Sequence, residues 1–256
     1  MPLLQIRNLT HFFGGLRAVY NFRTEIEPGE LRGLIGPNGA GKTTIFNLVT
    51  GIYKPTKGEI IFNGTNLVGL RPNQITALGI GRTFQNLRLW RYLTALDHVK
   101  IAFHSKIHYG LTGAFFRTKR CQEEEEEIEE KARELLRMMG IEQYADYVVT
   151  GLPYGIQRKV EMARALATEP KLLLLDEPTA GMSPAEMMET MEIIEKIRDE
   201  LGLAIWLIEH RMKLVMTLCE TIQVLDFGEI IAEGPPEEIK SNPRVIKAYL
   251  GEEVTV

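Results

Sequence analysis

Residues 36–44 read Gly-Pro-Asn-Gly-Ala-Gly-Lys-Thr-Thr, directly after the apolar run 31–35 and directly before the helix-like run 45–49. This is the phosphate-loop pattern G-x-x-x-x-G-K-[ST] in the strand–loop–helix setting that confirms it. Such a loop needs a strand leading in and a helix leading out, which points to an α/β core built on a parallel sheet. Gly36, Gly39 and Gly41 have no Cβ, so the backbone can curl and turn several N–H groups onto one anion. The helix that follows presents its positive end to the same place. Lys42 adds a mobile charge for the outer phosphates, and Thr43 offers a hydroxyl to Mg²⁺. Asn38, Ala40 and Thr44 complete the loop that would enclose ATP.

The 256 residues suit one large domain or a domain with a subdomain. Residues 1–82 alternate short strand-like runs, at 3–8, 16–26, 31–35 and 59–62, with glycine-rich turns. From 83 to 157 strand signals fade. Residues 122–139 read as one long polar helix, with Glu127/Lys131 and Glu129/Arg133 as i,i+4 pairs and Ile128, Leu135, Leu136 and Met139 as an apolar stripe. The acidic run 123–127 reads as a solvated helix face, with an acidic docking patch as the sharper alternative. Residues 158–256 return to alternation: strands at 172–175, 204–208, 221–225 and 229–232, helices at 158–167, 184–200 and 211–219. The fold class expected is α/β: a P-loop core with a parallel sheet, an antiparallel β subdomain and an inserted helical subdomain.

Composition removes some functions. The net charge of −4 argues against broad nucleic-acid binding. No apolar run approaches the roughly 18 residues of a membrane span, and the N-terminus lacks the layout of a signal peptide. Cys121 and Cys219 are lone thiols in no metal spacing, which points to a reducing cytosolic setting.

A second motif answers the first. Four leucines at 172–175 lead into Asp176 and Glu177. An unbroken apolar run suits a strand buried on both faces of a parallel sheet, and ligand chemistry sits at the carboxyl ends of such strands. Asp176 can hold Mg²⁺ directly or through a water. Glu177 can polarise the water that attacks the γ-phosphate.

Five motifs in order, GPNGAGKTT, then RTFQ at 82–85, LPYGIQRKVEMARAL at 152–166, LLLLDEPTAG at 172–181 and LIEH at 207–210, give a chain that resembles the ATPase subunit of an ABC transporter along essentially its whole length. It most resembles the ATP-binding subunits of branched-chain amino acid importers, through HFFGGLRAV near the start, Tyr154 in the signature, IEHRMKLVM and the ending NPRVIKAYLGEE.

The resemblance implies roles. Phe13 matches the aromatic that stacks on adenine, with Phe12 as the alternative. Gln85 matches the glutamine that reaches Mg²⁺ and the attacking water and links the site to the membrane subunit. His210 matches the switch histidine at the γ-phosphate. Residues 180–183 occupy the loop that crosses a dimer interface; Ser183 stands where an Asp is usual and, before Pro184, reads as a helix N-cap. The signature departs most from the family's Leu-Ser-Gly-Gly-Gln. Pro153 supplies neither hydroxyl nor N–H, while Tyr154 and Gly155 keep their N–H groups.

The implied machine is a pair of such subunits sandwiching two ATP, either two copies of this chain or this chain with a sibling, seated at the inner face of the cell membrane against permease subunits. Residues 86–91 mix apolar and basic side chains and are the expected permease contact. A lipid or lipopolysaccharide exporter ATPase, a soluble ATPase acting on DNA or ribosomes, and a catalytically weak regulatory subunit are the alternatives.

Overall fold

The computed structural model describes residues 1–107 and 109–250. Gly251, Glu252 and Glu253, which close the C-terminal motif, lie outside the described residues. In chain order the elements are β1 (Leu4–Phe13), β2 (Leu16–Ile26), β3 (Leu31–Ile35), α1 (Lys42–Val49), β4 (Lys57–Phe62), β5 (Thr65–Asn66), α2 (Pro72–Ala77), β6 (Ile80–Arg82), α3 (Ala95–Phe103), α4 (Leu111–Phe115), α5 (Lys119–Met138), α6 (Tyr154–Leu166), β7 (Leu172–Asp176), α7 (Pro184–Leu201), β8 (Ala204–Ile208), α8 (Met212–Leu218), β9 (Thr221–Asp226), β10 (Glu229–Gly234), α9 (Pro236–Ser241) and α10 (Pro243–Leu250).

The chain packs as two units. The first takes Met1–Arg82, Lys171–Glu177 and the residues from Ile194 onward; the second takes Thr83–Pro170 and Pro178–Ile193. Helix α7 therefore begins in the second unit and ends in the first.

The first unit holds two sheets. One is antiparallel, in the order β2-β1-β4-β5. The other runs β10-β9-β3-β8-β7-β6. Its strands β9 to β6 are parallel, and β10 is an antiparallel edge. Every residue of β3, β7 and β8 is buried. That is why these strands read as unbroken apolar runs: neither face meets water. Trp206 of β8 is fully buried against Phe22 of β2, with ring centroids 6.2 Å apart, and Phe46 of α1, at 5.1 Å. One aromatic cluster thus ties both sheets to the helix that leaves the phosphate loop.

In the second unit the only β pairing among the described residues is a bridge between Thr94 and Val148. Helix α3 packs on α5 and α6. The expected pairs on α5 form, Lys131 to Glu127 at 2.6 Å and Arg133 to Glu129 at 3.1 Å, and Leu136 and Met139 are buried beneath it.

Two expectations need correction. Strand β1 runs on to Phe13 rather than stopping at residue 8, because β2 pairs with it to the tip, Phe13 opposite Leu16. Helix α6 starts at Tyr154, a turn earlier than residue 158: Pro153 takes the cap position at φ −54° and ψ 151°, and the chain coils directly after it. Cys121 and Cys219 are buried and free, and burial pushes the Cys219 thiol up, away from reactivity. No described helix is long and apolar enough to cross a membrane.

Candidate active site

The phosphate loop leaves β3 at Gly36 and closes at Gly41, with φ of 150° and 104°. A Cβ at Gly36 would lie 2.0 Å from the Leu225 carbonyl oxygen, and one at Gly41 2.5 Å from that of Ala18. Neither position admits a side chain. Helix α1 starts at Lys42 with no side-chain cap and no acidic residue in its first turn, so its positive end is not offset by its own side chains. Lys42 arcs back over the loop, and Nζ donates to the carbonyls of Gly36 at 2.6 Å and Pro37 at 2.8 Å. Asn38 and Gly39 are exposed at the crown, Ala40 is buried, and Thr43 and Thr44 stand half-buried on the first helical turn.

Strands β3, β8 and β7 are neighbours, so their carboxyl ends bring the motifs together. Asp176 ends β7, almost wholly buried, and Arg82 at the end of β6 donates to its Oδ2 at 3.1 Å. Glu177 follows at φ +49°, in the left-handed region that costs a non-glycine residue about 1–3 kcal/mol. Its amide donates to the Ile208 carbonyl at 2.9 Å, which pins the turn to the end of β8. His210, just beyond β8, brings Nδ1 to 3.8 Å from Glu177 Oε1. Lys42, Thr43, Asp176, Glu177 and His210 thus share one edge of one sheet. Phosphate donors, a cation's hard oxygen ligands and a carboxylate able to orient water are all present there.

Phe13, at the tip of β1, is partly exposed and held edge-on by His11, at 4.6 Å, and Tyr53, at 5.2 Å. A braced ring with open surface is a platform for a flat base.

The second unit carries the remaining residues. Gln85 is exposed, at the start of the segment that leads to Trp90 and Tyr92, both also exposed. Tyr154 and Gly155 form the first turn of α6, which has no side-chain cap. Arg158 Nε donates to the Tyr154 hydroxyl at 3.1 Å. Ser183 caps α7: its amide and hydroxyl donate to Glu186 at 2.9 and 2.7 Å, and Glu186 returns an amide to Ser183 Oγ at 3.4 Å. This reciprocal box bears out the N-cap reading, and the hydrogen bonds from Ser183 hold the Glu186 carboxyl below its ordinary range. Replacing Ser183 by Ala is expected to lower stability by about 1 kcal/mol, read as a lowered denaturant midpoint; an unchanged midpoint would remove the cap.

Sequence reasoning missed Arg82 and Arg158. Arg82 also donates to Asn47 at 2.8 Å and Thr50 at 2.9 Å, fastening β6 to α1 beneath the loop. The one trace it leaves in sequence is a cation ending the short run that precedes Gln85.

Phosphates are what this edge of the sheet is shaped to hold, and the fold is that of a P-loop nucleotide-hydrolysing cassette. Residues 19–180 match the family described as ABC transporter, and residues 229–255 match one described as branched-chain amino acid ATP-binding cassette transporter. The chain belongs to the ABC transporter family and is one of its nucleotide-binding ATPases. It is 43% identical over 251 residues to the high-affinity branched-chain amino acid transport ATP-binding protein LivG of Escherichia coli K12, covering 98% of each chain. Among solved structures it resembles an ATP-binding cassette of an ABC transporter in its ADP conformation, with a TM-score of 0.85 and 30% identity over 98% of this chain and 99% of that one. It also resembles a dimeric cassette in a post-hydrolysis state bound to ADP and Pi, with a TM-score of 0.77 and 28% identity over 91% and 98%.

Proposed function

We propose that the chain is the ATP-hydrolysing subunit of an importer for branched-chain or related amino acids, working as a dimer on the inner face of the membrane beneath permease subunits. The observation that carries this reading is the C-terminal segment 229–255, which matches the branched-chain amino acid transporter family separately from the ATPase core. The lipopolysaccharide export system ATP-binding protein LptB of Escherichia coli K12 also aligns along 99% of the chain, but at 34% identity against 43% for LivG.

Each ATP is held between the phosphate loop of one subunit and the α6 start of the other. Phe13 stacks on the adenine, the loop N–H groups and Lys42 take the phosphates, Glu177 orients the attacking water, and His210 contacts the γ-phosphate. The hydroxyl of Thr43, the carboxylate of Asp176 and the amide oxygen of Gln85 are hard oxygen donors of the kind Mg²⁺ takes. When bound, Mg²⁺ would supply positive charge that offsets the charge of the phosphates. ATP binding closes the dimer and hydrolysis releases it, and the segment 86–91 passes that movement to the permease.

The test is reconstitution in vesicles with the membrane subunits and a substrate-binding protein. ATP-driven uptake of leucine or a related amino acid is expected. Outward movement of a lipid, with no amino acid uptake, would replace the importer by the exporter.

Pro153 sets the strength of the clamp on the partner's ATP. A hydrogen bond to a charged group is worth about 1.5–3 kcal/mol, so Pro153→Ser is expected to strengthen ATP-driven dimerisation about tenfold or more and to raise turnover. Sedimentation of the Glu177→Gln background with ATP measures the first, phosphate release the second. No change in either would mean that the Tyr154 and Gly155 N–H groups suffice.

A further inference from the structure

The segment that carries Gln85 has no secondary structure of its own from residue 83 to 90. Three of its carbonyls are nonetheless held, and by one helix. The Arg158 guanidinium donates to the carbonyl of Phe84 at 2.6 Å and also to that of Gln85. One turn and a half further along α6, Arg164 donates to the carbonyl of Arg88. Between the two arginines lies Glu161, its Oε2 3.0 Å from Arg158 Nη1 and its Oε1 3.7 Å from Arg164 Nη2. Arg158 and Glu161 are 2% and 1% exposed, as buried as the apolar core. At the end of the segment the Trp90 amide donates to His98 Nε2 at 2.8 Å, and His98 Nδ1 lies 2.7 Å from the Thr94 carbonyl.

A buried ion cluster adds little net stability over apolar side chains of the same volume. What this one adds is geometry. A guanidinium is a rigid flat fork with five donors, and Arg158 uses it on two carbonyls, a carboxylate and a hydroxyl at once; a lysine has three donors on a freely turning ammonium and cannot meet all four in one plane. Glu161 holds the Arg158 fork by a hydrogen bond and sets its second oxygen beside the Arg164 charge, so backbone groups spread over five residues are referred to a single helix. Arg158 is also bonded to the Tyr154 hydroxyl, in the first turn of that helix.

We infer that Arg158, Glu161 and Arg164 form a positioning device that sets the backbone of the Gln85 segment, so that the two arginines act on ATP hydrolysis through Gln85 without touching nucleotide. This rests on the reading of Gln85 given above. It separates binding from chemistry, because the phosphate loop and Phe13 stand on other elements.

Arg158→Lys keeps the charge and loses the fork. The purified full-length chain is expected to keep its ATP affinity within about twofold, while kcat falls about ten- to a hundredfold, the scale of an ångström of misplacement. The decisive measurement is a double-mutant cycle with Gln85→Ala. If Arg158 acts through Gln85, adding Arg158→Lys to Gln85→Ala costs less than about twofold more. Full additivity overturns the proposal while leaving the ATPase reading intact. A wild-type rate in Gln85→Ala overturns both the role of Gln85 and the proposal. Should Arg158→Lys show no cooperative unfolding, Arg164→Lys, at the margin of the cluster, is read through the same cycle with the same criteria.

Discussion

Replacing Glu177 by Gln is expected to slow ATP turnover about 10²- to 10⁴-fold, the range assigned to a positioned general base. The change is nearly isosteric. It leaves the left-handed turn at φ +49° and the amide bond to Ile208 in place, so the backbone presents the same side-chain position with an amide where the carboxylate was. Nucleotide binding rests on the phosphate loop and is retained. Closed dimers should therefore accumulate with Mg-ATP, because the step that dissolves them is blocked. Phosphate release under saturating ATP measures the first effect and size exclusion the second. Turnover within a few-fold of wild type would assign the catalytic carboxylate elsewhere.

Lys42→Ala is expected to erase the stabilisation that ATP confers. A ligand present at 100 times its Kd stabilises the folded state by about 2.7 kcal/mol, or about 5–10 °C for a chain of this size. Lys42 would contribute in two ways: in the proposed role it supplies charge for the outer phosphates, and its bonds to Gly36 and Pro37 brace the loop. Alanine removes both. Thermal unfolding with and without Mg-ATP is the check, and a shift as large in the variant as in the wild type would defeat the assignment.

How much of this was legible beforehand varied with the range of the contacts involved. Strands β3 and β8 were bounded correctly from sequence because burial on both faces leaves an uninterrupted apolar run with sharp ends. That Lys42, Asp176 and Glu177 come together was legible because the motifs that carry them have fixed spacings after β3 and β7, which lie in one sheet. The three-residue β6 was missed, since it is held by its neighbour: the amides of Lys171 and Leu172 both donate to the Gly79 carbonyl. Helix α3 was missed although Thr94 and Asp97 cap it reciprocally at 3.0 Å, a local signal that was available. The contacts of Arg82 and Arg158 could not be read. Their partners, Asp176 and the Phe84 carbonyl, lie 94 and 74 residues away, and no local pattern encodes a contact of that reach. The strained turn at Glu177 is likewise imposed by the end of β8.

The chain passes between its two units at four peptide links, and this bears on gene-level dissection. The helical unit is not one exon-like piece. A fragment spanning residues 83–170 would lack Pro178–Ile193, and with it Glu189, the partner of Lys159 at 2.5 Å. A chimera that borrows this unit from a relative must transplant both segments together. Two of its four junctions then fall where ATP chemistry is expected: one between Arg82 and Thr83, just ahead of Gln85, the other between Glu177 and Pro178. Seams moved to Gly79, outside the helical unit, and to Gly181, just within it, where glycines already turn the backbone, would clear both.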